Sequence, residues 1–201
     1  MHFEIECRDG KDVRRYAIIW SGEYLKYGQN LAAPRVPSLF VGERILVRQI
    51  PSRPPLSIIA TIVSGEELND INSMIVKAKS VYSLKYILGI INSRLLSFWF
   101  DYKFDKFQRA IFPQFKVNEL ATFPIHPIDF NNEKEKSIRD KLVSLVDRML
   151  ELHKKKSSMP PSSERDKIER EIAVTDEKID EIVYNLYGVT DEERKIVEDK
   201  R

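Results

Sequence analysis

The chain has 201 residues, 42% of them hydrophobic and 32% charged, with a formal net charge of +2. That length carries one or two domains with a sizeable core, and the composition is that of a soluble globular protein with a heavily charged part. The near-neutral balance excludes proteins whose bulk charge announces a nucleic acid, and a lone cysteine, Cys7, excludes an intrachain disulfide and a cysteine-based zinc site.

The N-terminal stretch MHFEIECRDGKDVRR is charged where a signal peptide needs an apolar run. The expected compartment is the cytoplasm, with Cys7 an inert reduced thiol. Arg15–Trp20 is rich in strand formers, Ser21-Gly22 signals a turn, and Glu23–Tyr27 is the expected returning strand. Ala33-Pro-Arg-Val-Pro37 reads as a loop, because prolines that close together resist both helix and central strand. In Glu43–Ile50, Ile45 and Val47 point one way and Leu46, Arg48 and Ile50 the other. Residues 51–55 form a tight proline-rich connection. Leu56–Val63 is a continuous apolar run, the pattern of a buried strand, and Asn72–Lys77 is a further short one.

The most apolar run, Tyr86–Phe100, is too short for a membrane span and is interrupted by Arg94. Ser83 is the expected N-cap of one core helix. Leu84, Ile87, Leu88, Ile91, Leu95 and Phe98 share its buried face, with Tyr86, Ser93, Arg94 and Ser97 on a polar back. In Asp101–Arg109, basic Lys103, Lys106 and Arg109 interleave with Tyr102, Phe104 and Phe107. Phe112–Ile125 then reads as a loop, a short helical turn and a closing strand.

From about Glu133 the composition changes. Residues 1–130 hold 17 Lys and Arg against 13 Asp and Glu; residues 131–201 hold 16 against 18, so the two parts suit different partners. Ile138, Leu142, Leu145, Met149 and Leu152 form a heptad seam, and Ile168, Ile172, Thr175, Ile179, Ile182 and Leu186 form another. The short break between them, Lys156–Ser163, predicts an antiparallel helical hairpin. Tyr187-Gly188 stops the second helix and Thr190 begins a last short one. The expected fold is therefore α+β: a compact mixed β-sheet domain with packed helices over 1–130, followed by a coiled-coil hairpin over 131–201.

Reactive chemistry finds little support. His2, His126 and His153 do not stand at metal-ligand spacing, and the seven glycines form no phosphate loop. The sequence therefore points to no catalytic residue, no cofactor and no metal. Asp101-Tyr-Lys103 and Asp176-Glu-Lys178 match an acid-x-Lys pattern that some nucleases use, but such short matches are expected by chance in so charged a chain. The positive signal is the basic-aromatic segment 102–109 with Arg48, Arg53 and Arg94. Lysine and arginine neutralise phosphate and arginine can bind guanine bidentately, while Gln108 and Gln114 suit adenine edges. The same pattern also describes a solvated face with its aromatics tucked into a core, and composition alone favours that plainer reading. Arg14-Arg15 reads as surface charge.

Four segments resemble the target-recognition domains of restriction-modification systems, above all the TaqI-type C-terminal specificity domain, and are similar to half of a Type I specificity subunit. They are Gly10-Lys-Asp-Val-Arg-Arg-Tyr16, Arg44-Ile-Leu-Val-Arg-Gln-Ile50, Ile87-Leu-Gly-Ile-Ile-Asn-Ser-Arg-Leu-Leu96, and Phe112-Pro-Gln-Phe-Lys-Val-Asn-Glu-Leu120 through Phe123-Pro-Ile125. The C-terminal Asp180–Gly188 stretch is similar to the family's usual ending. The resemblance implies a reader of double-stranded DNA without catalysis of its own. It serves a DNA methyltransferase or endonuclease domain or subunit, with the helices as spacer and docking surface. A homodimer through the coiled coil is a further arrangement the helices admit. The family motifs are largely structural, so the candidate DNA-binding residues, Arg48, Arg53, Arg94, Lys103, Lys106, Gln108, Arg109 and Gln114, rest on their chemistry and placement. Neither the glycine-rich cofactor motif nor the Asn-Pro-Pro-aromatic motif of the methyltransferase halves occurs in this sequence. The rivals are a coiled-coil scaffold that binds protein and not DNA, and a nuclease using the acid-x-Lys pairs.

Overall fold

The computed structural model describes residues 4–79, 82–104, 114 and 116–199. Strand formers and turns alternate at short range through the first third, so its strands are short and fall into three small sheets. In the first, β1 (Glu4–Arg8) pairs antiparallel with β4 (Tyr24–Lys26) and parallel with β7 (Leu68–Asn69). The second is a hairpin of β2 (Val13–Arg14) and β3 (Ala17–Ile18). In the third, β5 (Arg44–Arg48) runs antiparallel between β6 (Ala60–Val63) and β8 (Ser73–Val76).

The period-two reading of the central strand holds. Ile45 and Val47 enter the main core, and Leu46 enters a smaller cluster with Val13 and Val63 on the other face. Two expected strands are corrected. Arg15–Trp20 is not one strand: Arg15 and Tyr16 form the turn between β2 and β3, with Tyr16 at φ 58°. A tyrosine in this left-handed region is strained. It is held there by complete burial of its ring and by its N–H donating to the Ala60 carbonyl at 3.0 Å. The returning strand β4 consequently pairs with β1. In Leu56–Val63 only the last four residues pair, because Ser57 and Ile58 are bonded instead to the helix beside them.

The apolar run after Ser83 folds as two helices, α1 (Leu84–Ile91) and α2 (Arg94–Phe104). Ser83 stands at the N-cap position but its side chain makes no capping bond. Side chains that compete with the backbone cause the break. The Ser93 hydroxyl donates to the Ile90 carbonyl at 2.7 Å and accepts the Leu96 N–H at 3.2 Å, capping α2. The break turns the second half out of the expected register. Leu84, Leu88 and Ile91 are buried as expected, but Ile87, Leu95 and Phe98 are only half-buried. Tyr86, Ser93 and Ser97, expected on a polar back, are buried: the Tyr86 hydroxyl donates to the His126 carbonyl, Ser93 caps α2, and Ser97 accepts the Ile58 N–H.

After a short helix α3 (Val117–Leu120), residues 121–130 run without strand pairing, so the closing strand expected there does not form. The hairpin is α4 (Glu133–Ser157) and α5 (Ser163–Tyr187), capped by Asn132 and Ser162. Gly188, at φ 65° and ψ 31°, ends α5 in the left-handed conformation that glycine tolerates. Thr190 caps α6 (Asp191–Glu198) with a reciprocal bond to Glu193. Each long helix also buries residues beside its predicted seam. Val146 of α4, with the seam residue Leu142, closes on Gly89 of α1, where a Cβ would lie 2.9 Å from Leu142 Cδ1. Val183 and Tyr184 of α5 are buried outside its seam. One apolar core thus runs from the third sheet through α1 and α2 into the hairpin. No helix among the described residues is long and apolar enough to cross a membrane.

Candidate nucleic-acid interface

Arg48 ends β5 and leads into the 49–57 loop. The loop is closed by Ser52 N–H donating to the Ser57 carbonyl at 2.8 Å. It is pinned to α2 by Ser57 Oγ donating to Asp101 at 2.9 Å and by Ile58 N–H donating to Ser97 Oγ at 3.3 Å. Arg53 is exposed in this loop, and the helix to which the loop is pinned carries exposed Tyr102 and Lys103 in its last turn. Among the described residues neither Arg53 nor Lys103 forms an ion pair. Two exposed cations thus stand on elements fastened to each other, neither in an ion pair among the described residues.

The other candidates are disposed differently. Arg48 lies on the face of β5 that looks toward β2; burial first, and then the neighbouring Arg14, push its pKa below the usual arginine value. Arg94 stands at the opposite end of α2 from Lys103, about 14 Å away along the axis at the rise of a helix. Its guanidinium pairs with Asp180 at 3.1 Å. Gln114 is exposed ahead of α3. Lys106, Gln108 and Arg109 lie outside the described residues. The acid-x-Lys pairs contain no free acid: Asp101 receives Ser57, and Asp176 receives Arg15. Burial pushes the Cys7 thiol up to about 11, which leaves it protonated and unreactive at neutral pH.

Sequence reading missed the most organised polar cluster, which joins the globular part to the hairpin. Arg15, expected as surface charge, is largely buried and grips Asp176 of α5 through both terminal nitrogens, at 2.9 and 2.7 Å. One of these nitrogens also donates to the Asn92 carbonyl at 2.9 Å. Asn92, fully buried, accepts the Ala60 N–H and donates to the Ala60 carbonyl, both at 3.0 Å. Its amide acts as a one-residue extension of the sheet. Arg94 N–H donates to Asp180 Oδ1 at 2.9 Å. Burial pushes the Asp180 carboxyl up to about 6, and burial pushes nearby His153, whose ring lies 6.0 Å from that of Tyr16, down to about 4. A signal was available: Asp176 and Asp180 stand one turn apart beside seam residues Thr175 and Ile179, on a flank that a free coiled coil leaves to solvent.

The family described as TaqI-like C-terminal specificity domain matches residues 6–125. No curated protein matches the chain. Among solved structures it is similar to the Type IIL restriction-modification enzyme MmeI in complex with DNA, at 14% identity and a TM-score of 0.48. That similarity covers 79% of this chain and 21% of the enzyme, so the chain spans about a fifth of that protein's length.

Proposed function

The chain belongs to the family of TaqI-like C-terminal specificity domains, and from that premise we propose that it reads double-stranded DNA for a restriction-modification enzyme. In this reading residues 1–130 engage the duplex, and residues 131–201 serve as spacer and docking surface for a methyltransferase or endonuclease domain or subunit. A second copy is an alternative occupant of that surface. The chain supplies specificity and its partner supplies catalysis, in the cytoplasm where restriction-modification acts.

Within the family, the observation that carries the reading to particular residues is the placement of Arg53 and Lys103 on linked elements. They are exposed, unpaired among the described residues, and set on two elements fastened together through Ser57 and Asp101. The basic-aromatic segment continues in sequence from Lys103 to Lys106, Gln108 and Arg109. Cations placed this way hold phosphates and fix register, and the glutamines and arginines beside them suit base edges.

The test is a fluorescence titration of the full chain with random duplex at two salt concentrations, with and without Mg²⁺. Salt-dependent binding is expected. Glutamate at Arg53 and Lys103 together should abolish it while circular dichroism stays unchanged. A milder change to glutamine should lower the slope of log affinity against log salt by about 1 for each phosphate that is no longer neutralised. Unchanged affinity in the glutamate variant would defeat the assignment of those residues. Absence of any salt-dependent binding, alone and with the partner enzyme, would favour a protein-binding scaffold, and Mg²⁺-dependent cleavage would favour a nuclease.

A further inference from the structure

A spacer sets a distance only if its joint with the reader is rigid, so the joint between hairpin and globular part bears on the proposed reading. Two arginines from the globular part meet two aspartates of α5. Arg15, in the β2–β3 turn, takes Asp176, and Arg94, at the start of α2, takes Asp180. Asp180 also receives the Arg94 backbone N–H. The two aspartates are one helical turn apart, while their arginines come from two separate elements, with Arg15 also donating to the Asn92 carbonyl. Forming both ion pairs at once constrains the rotation and the axial position of α5.

Geometry and cost point to the same role. Apolar packing already holds the hairpin on, with Leu142 and Val146 closed over Gly89 and Val183 and Tyr184 buried. Buried ion pairs add little net stability, because desolvation offsets the attraction. Asp180 shows that cost directly: it is 4% exposed and its carboxyl is pushed up to about 6, so its charge is unfavourable in the fold. Arg15 and Arg94 face it from the elements packed against α5, and Asp176 and Tyr184 from one turn to either side on α5 itself. A costly charged pairing across an interface that apolar packing already closes is suited to selecting one orientation.

We propose that Asp176 and Asp180 are positioning residues, a two-point clamp that fixes the orientation of the helical hairpin on the DNA-reading part. The inference rests on the proposed reading only for its purpose, since the clamp is tested without DNA. The experiment places nitroxide labels at Lys26→Cys on β4 and Arg170→Cys on α5, both exposed, in a Cys7→Ala background of the full chain. Pulsed electron paramagnetic resonance then measures their distance distribution, and a thermal melt runs alongside. The parent should give one narrow distance. Asp176→Asn with Asp180→Asn should broaden it about twofold. Asp180→Asn alone keeps an acceptor for the Arg94 N–H, and should broaden it less without lowering the melting midpoint at neutral pH. An unchanged distribution in the double variant overturns the proposal, whatever happens to the midpoint. If the double variant fails to fold, Asp180→Asn alone decides on the same criterion. Failure of both to fold also overturns it, because the clamp would then hold the hairpin on rather than orient it. Loss of DNA binding in other variants leaves this result untouched, and an unbroadened distribution leaves the DNA reading untouched.

Discussion

Asn92, Ser93 and Arg94 are adjacent in the chain, and each fastens a different element. Asn92 ties the junction to β6, Ser93 caps α2, and Arg94 reaches α5. Asn92→Ala leaves the buried Ala60 N–H without its acceptor, while the Ala60 carbonyl keeps the Tyr16 N–H. One unsatisfied buried group costs about 1–3 kcal/mol, and a loss of about that size is expected from urea unfolding. Two groups nearby make opposing contributions with pH. His153 has its folded pKa lowered to about 4, so between pH 6.5 and 4 the unfolded chain binds more protons, and this group's contribution falls as pH falls. Asp180 has its folded pKa raised to about 6, so between pH 6 and about 4 the folded chain binds more protons and stability rises as pH falls. Each effect is on the order of 2–3 kcal/mol, and over that window they largely cancel. Asp180→Asn removes the counterweight, so its stability should drop more steeply than the parent's from pH 7 to 4.5. His153→Gln should drop less steeply. Parallel pH profiles for all three proteins would refute both assignments.

At the scale of elements, the close approach of α1 to α4 depends on Gly89. Gly89→Val puts a branched side chain against Leu142 and Val146 and should cost about 1–3 kcal/mol through overpacking. Gly188→Val, where no atom lies within 4 Å, should also destabilise, but through strain at positive φ alone. Urea midpoints compare the two, and only the first should disturb the packing of α1 on α4, seen by hydrogen exchange in α1. The elements also show what sequence pattern conveys. Heptad spacing placed α4 and α5 and the break between them, because a repeated apolar seam has one simple solution. Alternation gave the two faces of β5. The pattern could not show that Asn92-Ser93 would cap a new helix, nor that Arg15-Tyr16 would be a turn, since both depend on buried partners far along the chain. For the same reason the candidate interface was legible as chemistry and not as geometry. The interleaved cations were visible, but not the Ser57–Asp101 bond that ties the Arg53 loop to the helix of Lys103, nor the ion pair by which Arg94 reaches Asp180 of the hairpin.

At the scale of the whole molecule, a division of labour between residues 1–130 and 131–201 does not require a division of folding. The face of α1 and α2 that meets the hairpin carries Gly89, Ile90 and Leu96, all buried. The apolar core includes Leu142, Val146, Met149, Ile179 and Val183 together with the strand residues Ile45, Val47 and Ala60. Burial of apolar surface contributes about 25 cal/mol per Å². Cutting the chain after residue 130 would therefore open the part of this core that the hairpin covers and strand Arg15 without Asp176. The full chain should unfold in one cooperative transition, with tryptophan fluorescence from Trp20 and Trp99 and far-ultraviolet dichroism from the long helices falling together. The 1–130 fragment should lack near-ultraviolet dichroism and bind a hydrophobic dye, the signs of missing tertiary packing. Two separated transitions in the full chain, or a fragment with native dichroism, would mean that the hairpin is an appendage. In that case a partner docked on the helices would have no fixed frame from which the reader could deliver it to a site on DNA.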